Sequence, residues 1–226
     1  MAQLIEFEKT SCYAMSQDEA KFIYKEIFED GCYDVSNLSE APFVIDVGAN
    51  IGMFSLYLKQ KFPSSKILAF EPAPETYNIL RRNLELHNIS DVEAFPWGLA
   101  SEESIQQLTY FPNLPEHGRE VAKQGFGGAQ QVDVKIERLS NILNSHPEFT
   151  RIDFLKIDVE GAELEVLRGL DDAHWSLVHN VALETWDASG VRDEIENLLK
   201  SKGFTLKCVE AVWVKGFFMI SGSREN

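Results

Sequence analysis

The residues best suited to chemistry sit in three short stretches, each where an apolar run gives way to polar groups. In the first, Asp46-Val47-Gly48-Ala49-Asn50-Ile51-Gly52, two glycines follow an apolar run and precede a helix-like one. Glycine lets the chain turn sharply and lets a ligand approach without a Cβ in the way, and a helix start offers unpaired N–H groups. The second, Ala69-Phe70-Glu71-Pro72, ends the next apolar run with a carboxylate. An acid at that place in a doubly wound sheet can accept hydrogen bonds from both hydroxyls of a ribose. The third, Phe154-Leu155-Lys156-Ile157-Asp158-Val159-Glu160-Gly161-Ala162-Glu163, carries Asp158 and Glu160 to the end of another apolar run, and Glu184 ends a later one. Carboxylates gathered at one sheet edge can take a proton from a hydroxyl or hold Mg2+, which prefers oxygen ligands.

The glycine turn lacks the three-glycine spacing that cradles a dinucleotide pyrophosphate and the lysine of a phosphate-binding loop, so phosphate chemistry and nicotinamide-dependent oxidation are disfavoured. Asp46 and Glu71 together suit a nucleoside whose remaining groups are neutral or positive, as in S-adenosylmethionine. A sulfonium is already a good leaving group, so methyl transfer needs mainly the alignment of acceptor, methyl carbon and sulfur. A carboxylate would then assist loss of the acceptor proton, with Asp158 the leading candidate. Glu163 falls in the first turn of the following helix and reads as a capping or dipole-complementing group. His87 and His179 flank regular elements and read as structural, whereas His117 lies in a polar loop that could reach the cleft. Trp186 and Asp187 either line the acceptor site or pack.

The elements that must position these groups alternate along the chain. Ser16 followed by Glu19 forms a capping box before Phe22, Ile23, Ile27 and Phe28 at helical spacing, a short leading helix within residues 1–42. Strands are predicted over 43–47, 66–70, 92–96, 152–157 and 178–184, and helices over 53–61, 74–87, 162–170 and 191–202. Segments 105–111 and 131–136 alternate polar with apolar and are expected as two extra strands pairing with each other at an edge, with 112–130 between them as a lid loop. Segments 204–209 and 212–220 follow one another without a helix and predict an antiparallel hairpin. The alternation predicts one α/β domain over 1–226, its core over 43–221 and its sheet mostly parallel.

Composition narrows the partners. With 36 acidic against 21 basic side chains the net charge is -15, a field that repels phosphate backbones and anionic lipid, so neither nucleic acid nor membrane is expected. Lys59, Lys61 and Lys66 read as a solvated face. Cys12, Cys32 and Cys208 show no C-x-x-C spacing, against both a disulfide framework and a zinc site. No apolar run reaches the ~20 residues of a membrane span, and the opening residues carry Glu6 and Glu8 instead of an export signal, so a cytoplasmic protein is expected.

In this order the three stretches resemble the signature blocks of FkbM-type methyltransferases, over about residues 43–184. The resemblance implies a Rossmann-like class I methyltransferase fold. Its sheet would be mostly parallel and seven-stranded, with a C-terminal antiparallel hairpin and helices on both faces. It implies S-adenosylmethionine as cofactor, S-adenosylhomocysteine as product and methyl transfer to a hydroxyl of a small-molecule natural product, polyketide, peptide or sugar. That acceptor could be free or carrier-bound, and the chain could belong to a larger synthase. Cofactor contacts are then expected from Asp46, Gly48, Asn50, Gly52, Glu71, Pro72, Gly98, Leu99 and Asp158. Catalytic roles fall to Asp158, Glu160 and Glu184, which are also the candidates should a divalent metal take part. N- or C-methylation and a catalytically silent adenosylmethionine-binding module are the alternatives. The leading segment and the 112–130 loop match no block and are the expected makers of the acceptor pocket.

Overall fold

Phe43–Val47 (β3) is buried at all five positions, the pattern of a strand covered on both faces of a parallel sheet. It lies inside a seven-stranded sheet in a computed structural model that describes residues 2–33, 38–110, 130–187, 190–210 and 215–224. The other strands are β4 (Lys66–Phe70), β5 (Val92–Phe95), β9 (Phe154–Ile157), β10 (Asn180–Trp186), β11 (Thr205–Glu210) and β12 (Phe217–Ser223). Their order is β11-β12-β10-β9-β3-β4-β5, parallel from β10 to β5, with β12 antiparallel to both β10 and β11. This is the mostly parallel seven-stranded α/β sheet with a closing antiparallel hairpin that the resemblance implies.

Alternation along the strands divides the core. Val44, Ile67, Ala69, Phe154 and Ala182 face one cluster with Ile23, Tyr24, Phe54, Leu58 and Leu80. Ile45, Val47, Leu68, Phe70, Leu155 and Ile157 face the other, with Leu139, Leu143, Leu167, Trp175 and Leu199. Helices α1 (Gln17–Tyr24), α2 (Met53–Lys61) and α3 (Pro74–Leu86) serve the first face. The second is covered by α4 (Leu139–Ser145), α5 (Glu163–Arg168), α6 (Asp172–Trp175) and α7 (Val191–Ser201). From β3 the chain builds outward through β4 to β5, then returns to lay β9 on the opposite side of β3. This reversal leaves a crevice at the carboxyl ends of β3 and β9, where open α/β sheets bind ligands.

The structure differs from expectation in several places. A two-stranded hairpin, β1 (Gln3–Glu6) with β2 (Ser11–Ala14), precedes the leading helix. After Tyr24 that helix widens into a π-helical turn, Lys25–Asp30, closed by Gly31 at φ 63. Strands β7 (Ser104–Tyr110) and β8 (Gln130–Glu137) do pair antiparallel, but they form a separate three-stranded sheet with β6 (Trp97–Leu99) instead of an edge of the main one. Pro96 breaks the run between β5 and β6, since proline offers no N–H to a ladder. Helices α4 and α6 are too short to show a clear 3.6-residue period. The expected lid, 112–130, lies outside the described residues except for Gln130, and His117 with it. Among the described residues no helix is long and apolar enough to cross a membrane.

The leading hairpin is stapled to the glycine turn by Asn83 of α3, which is fully buried. Its Oδ1 accepts the Tyr13 N–H at 2.6 Å, and its Nδ2 donates to Tyr13 O at 3.0 Å and to Ile51 O at 2.7 Å. Replacing Asn83 by Leu strips three bonds and orphans the backbone groups that made them, so urea unfolding should show a loss of about 2–4 kcal/mol. Amide exchange at Tyr13 should quicken in parallel, and a variant as stable as its parent would show the staple to be idle.

Candidate functional site

The glycine turn is clamped between β4 and the end of β9. Gly48 and Ala49 donate N–H bonds to Phe70 O at 3.0 and 2.9 Å. Gly48 stands at φ 74, and a Cβ there would fall 1.7 Å from the Asp158 carbonyl oxygen, so only glycine fits. Asn50 is left-handed at φ 49, and Gly52, at φ 87, caps α2. Glu71 holds the turn from the β4 side. Its Oε2 accepts the Asn50 N–H at 3.0 Å and its Oε1 the Ala73 N–H at 2.9 Å. Each carboxylate oxygen keeps a second lone pair for a ligand. Burial pushes Glu71 up to about 7, against the pull of those two backbone bonds and Lys156. Asn50 Oδ1 is buried and has no hydrogen-bond partner among the described residues.

The other expected cofactor contacts fall into two groups. Gly98 packs close to Pro72, where an added Cβ would meet Ile136 Cδ1 at 2.7 Å and Pro72 Cβ at 3.7 Å. Leu99 and Asp46 point inward, 4% and 0% exposed. Asp46 pairs in register with Lys156 across β3 and β9. Its carboxylate takes the Ser55 hydroxyl at 3.0 Å and lies 3.1 Å from the Lys156 ammonium. Lys156, itself buried, also donates to Gly48 O at 2.8 Å and approaches Asp158 at 3.7 Å. Burial opposes its charge, but Asp46 and Asp158 outweigh that and hold its pKa above the ordinary value.

The three candidate catalytic carboxylates separate by exposure. Asp158 is partly open, its side chain 36% exposed. Glu184 is buried behind it, and Glu160 is exposed in a left-handed turn at φ 52. Tyr33 joins the first two, its hydroxyl 2.9 Å from Glu184 Oε1 and 3.2 Å from Asp158 Oδ2. Glu26, from the π-helical turn, is hydrogen-bonded to Glu184. Ionised carboxylates only accept hydrogen bonds, so the bond between Glu26 and Glu184 needs a proton on one of the two. Burial, then the charges of Asp158 and Glu26, push Glu184 well above the ordinary carboxylate range. Burial and Asp158 likewise push Glu26 up to about 7.

Tyr33, Glu26 and Lys156 drew no role from the sequence. A period-2 pattern marks Lys156 as a strand residue only, and a π-helical turn leaves no trace in helical spacing. Glu163 opens α5 without capping it: its Oε1 accepts the N–H of Gly161, ahead of the N-cap residue Ala162, at 2.6 Å. His87 Nε2 meets Ser11 O at 2.7 Å, a structural contact. Trp186 is 49% exposed beside Phe217. No group of three His, Cys, Asp or Glu arranged to hold a metal exists among the described residues.

The raised acids predict a pH dependence. A carboxyl whose folded pKa is about 7, against 4.5 as reference, keeps its proton longer in the folded state. That advantage is full below pH 4.5 and is lost as pH rises to about 7. Without added ligand, the thermal midpoint should fall between pH 5 and 8, with Glu71 contributing about 1–3 kcal/mol. A midpoint flat over that interval would contradict the burial of these groups.

Comparison with known proteins agrees with this geometry. Residues 46–206 match the model of the methyltransferase FkbM domain. Methyltransferase sdnD of Sordaria araneosa is 49% identical over 99% of this chain and 97% of its own length. The 31-O-demethyl-FK506 methyltransferase FkbM of Streptomyces tacrolimicus is 31% identical over 83% of each. Among solved structures, methyltransferase FkbM from Methylobacillus flagellatus KT superposes with a TM-score of 0.63 at 14% identity, over 88% of this chain and 47% of that one. Turn, acid-ended strand and carboxyl edge thus lie within a matched region that leaves no doubt of kinship: the chain belongs to the FkbM methyltransferase family.

Proposed function

We propose that this methyltransferase uses S-adenosylmethionine to methylate a hydroxyl oxygen of a small-molecule natural product, free or carrier-bound. The observation that carries the proposal is the double duty of Asp158. Its carbonyl lies against Gly48 of the glycine turn, while its partly open carboxylate is oriented by Tyr33 and Lys156. Donor turn and proton acceptor thus meet in one residue. Support for oxygen as the acceptor atom comes from the Streptomyces relative, whose name specifies a 31-O position. The net charge of -15 favours a neutral or cationic small molecule over a polyanion.

The residues present fit the cofactor. Glu71 has lone pairs left for a ribose diol, and Asn50 Oδ1 is an acceptor without a donor among the described residues. When bound, S-adenosylmethionine supplies a methyl group on a positively charged sulfur. Asp158 accepts the acceptor's hydroxyl proton as the new C–O bond forms. Tyr33 and Lys156 keep its carboxylate aimed, and Glu184 with Glu26 backs Tyr33 from the protein interior. Alignment supplies most of the rate and proton removal the remainder.

Asp158→Asn preserves shape and removes the base. Turnover to S-adenosylhomocysteine with a panel of hydroxylated small molecules should fall by ~10²–10⁴, while cofactor affinity stays within a few-fold. Parental turnover in that variant would remove Asp158 from the chemistry, and a product methylated on nitrogen or carbon would redirect the assignment of the acceptor. Lys156 already sits where a cation between Asp46 and Asp158 would sit. Chelation should therefore leave turnover unchanged, whereas a loss restored by Mg2+ would place a metal at the carboxylates.

A further inference from the structure

The capping box at the start of α1 forms only by half. Ser16 Oγ accepts the Glu19 N–H at 3.4 Å, the half that fixes the helix start. The carboxylate of Glu19 turns inward instead of back to the Ser16 N–H. It is 6% exposed, and neither oxygen has a hydrogen-bond partner among the described residues. A solvated cap needs no explanation, but a buried carboxyl without donors does, because it has given up water and gained nothing in return.

The surroundings of Glu19 identify the missing donors. Burial first, and then the charge of Glu71, push Glu19 up to about 7. The buried thiol of Cys12 is raised to about 11 by burial and by Glu19. The hairpin that leads into α1 is tied to the turn by the Asn83 staple, which joins Tyr13 to Ile51, and Ala20 of α1 shares a core cluster with Ala49 and Ile51 of the turn. The turn itself holds a further unpaired acceptor, Asn50 Oδ1. Glu71 and Asn50 at the turn and Glu19 on the helix packed into the same core cluster are thus three acceptors, and no side-chain donor among the described residues serves Glu19 or Asn50 Oδ1. A ligand rich in O–H and N–H groups and free of phosphate would supply the donors they lack.

We propose that Glu19 is a cofactor-binding residue, its carboxylate closing over the nucleoside from the leading helix and accepting a hydrogen from the ribose that Glu71 holds from the opposite side. This rests on the adenosylmethionine reading above and extends it to a segment outside the family's matched region, 46–206. The leading helix is then a wall of the donor site, and ligand binding relieves an acid that the empty protein buries at a cost.

Calorimetry with S-adenosylhomocysteine on the full chain tests both levels separately. No binding to the parent protein would overturn the adenosylmethionine reading itself, whatever Glu19 does. Given parental binding, Glu19→Gln should weaken it by roughly tenfold or more, the scale of a lost hydrogen bond to a charged group. The same variant should raise the thermal midpoint of the empty protein, because it removes a buried charge. Glu19→Asp keeps the charge but withdraws the carboxylate, and should weaken binding with little change in the midpoint. It also decides the matter if the Gln variant fails to fold. Parental affinity in either folded variant would overturn the proposal and leave Glu19 a buried residue without a ligand role.

Discussion

One buried ammonium holds this architecture together at its functional end. Lys156 lies beneath the rings of Tyr33 and Phe54, its nitrogen 5.3 and 5.8 Å from their centroids. It is anchored by Asp46, the Gly48 carbonyl and Asp158. These three partners belong to β3, to the turn that follows it and to the residue just beyond β9. A charge buried in that way cannot lose a partner cheaply: breaking one side of a buried pair commonly costs about 3–5 kcal/mol. The crevice thus keeps its shape because the lysine has nowhere else to go.

Around that cation the protein gathers more acid than it neutralises. Asp46, Asp158, Glu184, Glu26 and Glu71 all act on the same interior, and burial keeps Glu26, Glu71 and Glu184 protonated further up the pH scale than usual. Such surroundings welcome a positively charged or donor-rich guest and reject phosphate. That is the electrostatic counterpart of a glycine turn built without the spacing for pyrophosphate.

The central strands and the turn could be read from the chain because each obeys a local rule. Phe43–Val47 is a continuous apolar run, the glycines sit at fixed offsets, and Glu71 ends the next strand one step before a proline. The features that stayed hidden depend on distance. Tyr33 meets Asp158 and Glu184 across 125 and 151 residues, and no periodicity encodes such a meeting. Glu19 misled for the opposite reason, since its local signal as a cap was genuine but described only its backbone. The hairpin before Ser16 leaves no such trace, because Leu4 and Ile5 adjoin in its first strand and break the polar–apolar alternation.

The π-helical turn at Lys25–Asp30 makes chain length itself a specification. Five residues, not four, separate the bonded partners where the Gly31 N–H reaches back to Glu26 O. Losing a single residue there would restore α-helical winding and swing the downstream segment by about 100°. Glu26 and Tyr33 would then no longer face Glu184 together. In a lineage of related enzymes this stretch should therefore keep its residue count, and a one-residue gap in it would mark a protein whose buried carboxyl cluster is built differently.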